Sequence, residues 1–128
     1  MTTVALVALL LLHGLLHLAI WLPRPDMAEE RPDPPFHPDR SAVLERSLPE
    51  VRPGQVAVLL ASVCTAAYLV AGVSVTLGSR WAVPTALVAG VTGLVLKGLY
   101  FHPLLSLGIL IDAAVLTSAL AQWPLALV

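Results

Sequence analysis

Residues 55–123 read QVAVLLASVCTAAYLVAGVSVTLGSRWAVPTALVAGVTGLVLKGLYFHPLLSLGILIDAAVLTSALAQW, and only Arg80, Lys97 and Asp112 in this stretch are charged. A bilayer core of ~30 Å needs about 20 apolar residues in a helix rising ~1.5 Å per residue. The stretch supplies three such runs, predicted over about 55–77, 81–100 and 104–123. Gly78-Ser79-Arg80 is too short for anything but a tight helical hairpin. His102-Pro103 makes the second break, with the proline suited to the first turn of a new helix. Trp81, Tyr100 and Trp123 fall at the ends of these runs, where amphipathic rings favour the headgroup level.

A fourth run lies upstream, from about Val4 to Leu22, with Trp21 at its end. It lacks a basic leading segment and a small-x-small cleavage site, and it is longer than the apolar segment of a signal peptide. It is therefore expected to be retained as the first span. Pro23 and Pro25 stop it, and Pro53-Gly54 opens the next. The expected fold is an all-α membrane four-helix bundle forming a single domain.

Twelve of the fifteen Lys, Arg, Asp and Glu residues lie between the first and second spans, in a polar loop over residues 23–53. Pro32, Pro34, Pro35 and Pro38 favour extended, polyproline-like chain there. Ser41–Ser47 is the exception: Val43 and Leu44 set among charges read as one or two surface-lying helical turns, capped by Asp39 or Ser41. Across the whole chain 58% of residues are hydrophobic and 12% charged. A soluble domain carries about 25% charged residues, so most of this surface is expected to face lipid. A net charge of −1 leaves no basic stripe for a nucleic-acid partner. Cys64, the one cysteine, allows neither an intrachain disulfide nor a thiolate metal cage.

The loop holds five arginines, and the opposite side holds Arg80. The positive-inside rule then puts the loop in the cytoplasm and both termini outside. Heavy use of Ala, Val, Leu, Pro and Arg suggests a GC-rich bacterial source, hence a bacterial inner (cytoplasmic) membrane. Small residues at helical spacing mark the faces along which spans approach closely: Ala57, Ala61, Thr65 and Gly72 on the second span, and Ala82, Ala86, Ala89, Gly90 and Gly93 on the third. They are expected to build one compact bundle, with a homo-oligomer or a larger membrane complex as the other use of such faces.

His13, His17, Lys97, His102 and Asp112 are the ionisable groups in or at the edge of the spans on the loop side. Each costs several kcal/mol in hydrocarbon unless paired or hydrated, so each is a candidate functional residue. Counted from the loop-side ends of their spans, His17 and Lys97 lie ~8 Å deep, Asp112 ~12 Å and His13 ~14 Å. All gather in the leaflet beneath the long loop. The opposite half carries only Arg80 at its rim, which argues against a polar route across the membrane.

His13 and His17 stand four apart in His-Gly-Leu-Leu-His, about 40° apart around the helix axis. This spacing suits two histidines on one metal, and Gly14 allows close approach of something bulky. Two ligands do not complete a site, so Asp112 or His102 would have to supply a third and His37 a fourth. One haem cannot take both histidines on its two faces, although either could pair with a histidine elsewhere or in a second subunit. Lys97 and Asp112, on consecutive antiparallel spans, are expected to form a salt bridge or a water-linked pair. Lys97 could also hold an anionic headgroup, or snorkel to the interface. Span hydroxyls usually bond their own i−4 carbonyls, and Cys64 reads as a small packing residue.

No Gly-x-Ser-x-Gly elbow or Cys–His pair supports nucleophilic catalysis, and four histidines are too few for a diiron hydroxylase. The expected function is non-enzymatic binding of a small ligand, ion or lipid headgroup by His13, His17, Lys97 and Asp112, with His102 at the mouth and the loop as a cover. The alternatives are an accessory or assembly subunit, in which these residues only lock helices, and a metal- or haem-dependent membrane enzyme.

Overall fold

A computed structural model describes residues 2–22 and 36–122. It contains α1 (Thr2–Trp21), α2 (Ala42–Ser47), α3 (Pro53–Thr76), α4 (Ala82–Leu99), a 3₁₀ turn (Pro103–Leu105) and α5 (Ser106–Leu120). No strand occurs among the described residues. Four helical segments, with the 3₁₀ turn joined to α5, are long and apolar enough to cross a membrane. The fold is an all-α bundle of four long helices. Pro23, Pro25, Pro32, Pro34, Pro35 and the boundary marker Trp123 lie outside the described residues.

The breaks follow from local chemistry. Gly78 adopts φ +59°, a left-handed conformation costly for residues with a β-carbon. It lets Ser79 N–H reach back to the Ser74 carbonyl (2.8 Å) and Gly78 N–H to that of Val75 (3.2 Å). This is a Schellman closure of α3. At the next break His102 caps the 3₁₀ turn, its Nδ1 accepting from Leu104 N–H at 3.2 Å.

The side-chain distribution is the reverse of a soluble protein's. Leu12, Leu16, Leu59, Val73, Leu107 and Leu110 point outward, whereas Thr65, Ser74, Lys97 and Asp112 are buried. A solvent-facing helix carries polar residues on its outer face; here the outer face is apolar, as hydrocarbon surroundings require. The small residues face inward: Ala57, Ala61, Ala82, Ala89, Gly90 and Gly93 are all buried. α3 packs against both α1 and α4, and α4 packs against α5. α1 and α5 close the bundle less tightly, leaving a seam between them.

Two apolar clusters fill the interior. One, away from the loop, gathers Leu10, Cys64, Tyr68, Ala71, Val75, Ala82, Ala89 and Val115. The other, on the loop side, gathers Trp21, Leu44, Ala57, Ala61, Leu96, Tyr100 and Leu105. The short helix is docked into this second cluster. Ser41 caps it by accepting from Leu44 N–H (3.2 Å), and its hydroxyl donates to the Leu99 carbonyl at the end of α4 (2.6 Å). Of the two expected caps, Ser41 acts, because that position also meets α4.

The aromatic boundary markers divide. Trp81 is exposed, as an interfacial ring should be, but Trp21 and Tyr100 are buried at 1% and 3%. Trp21 packs edge-on to Tyr100 (5.1 Å) and Phe36 (4.9 Å). Loop residues Phe36 and Leu44 cover these rings, so they meet protein instead of headgroups.

Candidate polar centre between the helices

Between the two apolar clusters lies a layer of polar side chains centred on Asp112, which is fully buried on α5. Its carboxylate accepts from His13 Nε2 (2.8 Å, Oδ1), from Tyr68 Oη (2.7 Å, Oδ1) and from Lys97 Nζ (2.5 Å, Oδ2). A buried carboxylate is tolerable only when paired and hydrogen-bonded. Here one cation neutralises it, and donors from α1, α3 and α4 converge on it.

The second histidine extends the network. His17 Nδ1 lies 2.9 Å from the His13 carbonyl one turn earlier on α1, and Nε2 lies 2.7 Å from Lys97 Nζ. A carbonyl only accepts, so Nδ1 carries the proton and Nε2 takes a hydrogen from the ammonium. His17 is thereby a neutral imidazole. His13 donates through Nε2 to Asp112, and its Nδ1 has no partner among the described residues. Within the layer the Lys97 and Asp112 charges offset each other.

Glycines make room for three of its members. A β-carbon at Gly14 would stand 2.7 Å from Tyr68 Cβ, one at Gly93 would stand 2.5 Å from Asp112 Cγ, and one at Gly108 would stand 2.6 Å from Lys97 Cε. The Gly108 slot explains the course of Lys97: its stem turns inward across α5, and it is 3% exposed. It does not snorkel.

Of the five sequence candidates, His13, His17, Lys97 and Asp112 come together in one hydrogen-bonded network. The expected Lys97–Asp112 ion pair is present. His102 is apart: it caps the 3₁₀ turn and packs 5.9 Å from Phe36 at the loop. Trp21, Leu96, Tyr100 and Leu105 intervene between the network and the loop side. His37 lines a surface groove with Asp39 and Arg52 and does not reach the network.

Tyr68 was missed at the sequence level, although a signal existed. It falls in the gap of the stripe Ala57, Ala61, Thr65, Gly72, hence on the same inward face. A single tyrosine amid apolar residues reads as packing until its hydroxyl partner is known. Ser62, Thr76 and Thr117 bond their own i−4 carbonyls as expected. Thr65 does not: its hydroxyl donates to Gly14 O on α1 at 2.8 Å, tying α3 to α1 at the height of the network. Cys64 is a packing residue, with Sγ 3.5 Å from the Ala89 carbonyl.

His13, His17 and Asp112 place ligand atoms within 4.8 Å of one another. Two imidazoles and a carboxylate suit a divalent transition metal. However, the Lys97 ammonium sits 2.7 Å from His17 Nε2 and 2.5 Å from Asp112 Oδ2, bonded to two of the three donors. The chain fills this cation position with its own side chain.

A cavity of about 180 Å³ opens beside the network in the α1/α5 seam. His13, His17 and Lys97 form its polar floor, and Leu16, Ile20, Leu104 and Leu107 form an outward-facing rim. Further along the same seam a cavity of about 210 Å³ is lined by Leu6, Leu10, Ala86, Val115 and other residues that are apolar except for Ser118. The chain matches no known protein-family model, no curated protein and no solved structure.

Proposed function

We propose that this chain is a small polytopic membrane protein that binds a small ligand, ion or lipid headgroup at the His13–His17–Lys97–Asp112 network. The observation that carries this reading is the cavity of about 180 Å³ whose floor is made by three members of the network. Structural ion pairs need no such opening. A pocket with apolar walls and a few convergent polar groups is the common form of a small-molecule site. The role is binding, not catalysis. The network holds no activated nucleophile, since its carboxylate is ion-paired and accepts three hydrogen bonds and its lysine is the ammonium of that pair.

In this reading the bilayer is a bacterial inner membrane, with the arginine-rich loop in the cytoplasm and the termini outside. Cysteines introduced as Ser47→Cys in the loop and Ser79→Cys in the α3/α4 turn test the orientation. In intact cells a membrane-impermeant maleimide should label Ser79→Cys and spare Ser47→Cys.

The competing reading is an accessory subunit in which the same residues only lock helices. It draws support from the dense pairing of the network, in which Asp112 alone accepts three hydrogen bonds. A His13→Ala/His17→Ala variant separates the two. Retained stability with lost ligand binding supports the pocket; lost folding or lost partner co-purification supports the locking role. A Soret band, or metal in one-to-one ratio with the purified protein, would overturn both in favour of a metal or haem enzyme.

A further inference from the structure

The two cavities of the α1/α5 seam lie end to end. On α1 the apolar cavity is lined by Leu6 and Leu10 and the polar one by His13 and His17, successive positions on one face. On α5 the corresponding pairs are Val115 and Ile111, again one turn apart. From Leu6 to Trp21 the seam runs roughly 22 Å at the helical rise per residue. It therefore offers a polar station at one level and an apolar cavity at the next, with the His13–Asp112 bond between them. Its rim residues Leu16 and Leu107 are 53% and 69% exposed, so the opening faces the hydrocarbon and not the loop.

The polar station has a definite preference. Lys97 has three N–H donors and uses two, on Asp112 and His17. His13 Nδ1 is unused, and in the neutral imidazole it accepts. It is not sealed off either, since Trp21 Nε1 is the one fully enclosed side-chain nitrogen or oxygen without a partner among the described residues. An incoming head thus meets one cationic donor and one neutral acceptor. A cationic head is repelled by Lys97, whose ammonium already balances the Asp112 charge. An anion entering alone would unbalance the Lys97–Asp112 charge pair in a low-dielectric setting. A carboxylic acid entering with its proton satisfies both groups: its carbonyl accepts from Lys97, and its O–H donates to His13 Nδ1.

We propose that the α1/α5 seam binds a single-chain lipid with a carboxylic acid head, held by Lys97 and His13, its chain lying in the apolar cavity at Leu10, Ala86 and Val115. This rests on the polar-pocket reading above and specifies its ligand class and its route of entry, sideways from the membrane.

The test uses the full chain in phosphatidylcholine nanodiscs, titrated with radiolabelled hexadecanoic acid, octanoic acid, hexadecanol and inorganic phosphate. Hexadecanoic acid should bind saturably, and hexadecanol about tenfold more weakly or worse, having one oxygen to serve both Lys97 and His13 where the acid has two. Ala86→Phe fills the apolar cavity without touching the network. It should weaken hexadecanoic acid about tenfold and leave octanoic acid unchanged. Val115→Phe blocks from the facing wall should Ala86→Phe fail to fold, and the comparison of the two acids on the wild-type chain needs no variant. Equal binding of hexadecanol and hexadecanoic acid overturns the proposal, as does binding insensitive to chain length and to both blocking variants. A stable dimer that buries Leu16 and Leu107 overturns it too, because a second copy would then fill the seam. If neither acid binds but phosphate does, the lipid assignment falls and the polar pocket stands. If none of the probes binds saturably, both fall.

Discussion

Asp112 lies against the bare backbone of Gly93, so close that a β-carbon at 93 would stand 2.5 Å from its carboxylate carbon. The acid on α5 thus occupies space that α4 has vacated, which brings its oxygens within reach of three other helices. Burial of the charge and approach of the helices are one event: the glycine permits both.

Gly93→Ala should therefore force Asp112 out of register and weaken its three hydrogen bonds. Overpacking of this kind costs about 1–3 kcal/mol. Gly98, on the same helix, has nothing within 4 Å of its missing β-carbon. Gly98→Ala should be neutral, or stabilise by about 0.5–1 kcal/mol through helix propensity. Unfolding in mixed micelles checks the pair; equal effects at 93 and 98 would refute the packing argument.

Lys97 and Asp112 should show strong coupling in a double-mutant cycle. Lys97→Met alone or Asp112→Leu alone leaves an uncompensated charge among apolar helices, at a cost of about 3–5 kcal/mol. The double variant removes both charges and should recover most of that loss. Additive losses would mean that the two groups act independently, contrary to the 2.5 Å separation.

If Lys97 fills a cation position, shortening it should vacate that position. The Lys97→Ala variant should take up cobalt(II) with visible absorption bands, through His13, His17 and Asp112, whereas the wild-type chain should not. Adding His13→Ala to this background should abolish the bands. Equal cobalt binding by wild type and variant would show that the ammonium does not compete for the donors.

Ser41 makes two bonds that hold α2 on the bundle, the cap to Leu44 N–H and the link to Leu99 O. Ser41→Ala should cost about 0.5–2 kcal/mol, the range for a lost cap. Hydrogen exchange in residues 42–47 should quicken, while α3 keeps its protection. Unchanged exchange in α2 would show that Leu44 alone anchors it.

Much of the fold was legible in the chain because lipid imposes a one-dimensional rule. Each crossing needs a long apolar run, and Gly78, His102-Pro103 and Pro53 interrupt those runs where the helices break. The gathering of His13, His17, Lys97 and Asp112 was legible for a related reason: helical rise and antiparallel order turn sequence positions into depths. Depth, however, says nothing about rotation around the axis. His102 lies on the same side of the bundle and belongs to a cap, whereas Tyr68, a residue of no evident polarity in its context, belongs to the network.

The sequence by itself determined four apolar helices, a charged loop between the first two, and the level at which the ionisable residues sit. These follow from hydrophobicity and from a constant rise per residue. Tertiary structure alone decided that Lys97 turns inward through the slot at Gly108, that Trp21 and Tyr100 face protein and not headgroups, and that the seam opens between α1 and α5. Those outcomes depend on which helix faces meet, and that is set by the fit of glycine gaps to particular side chains across helices distant in the chain.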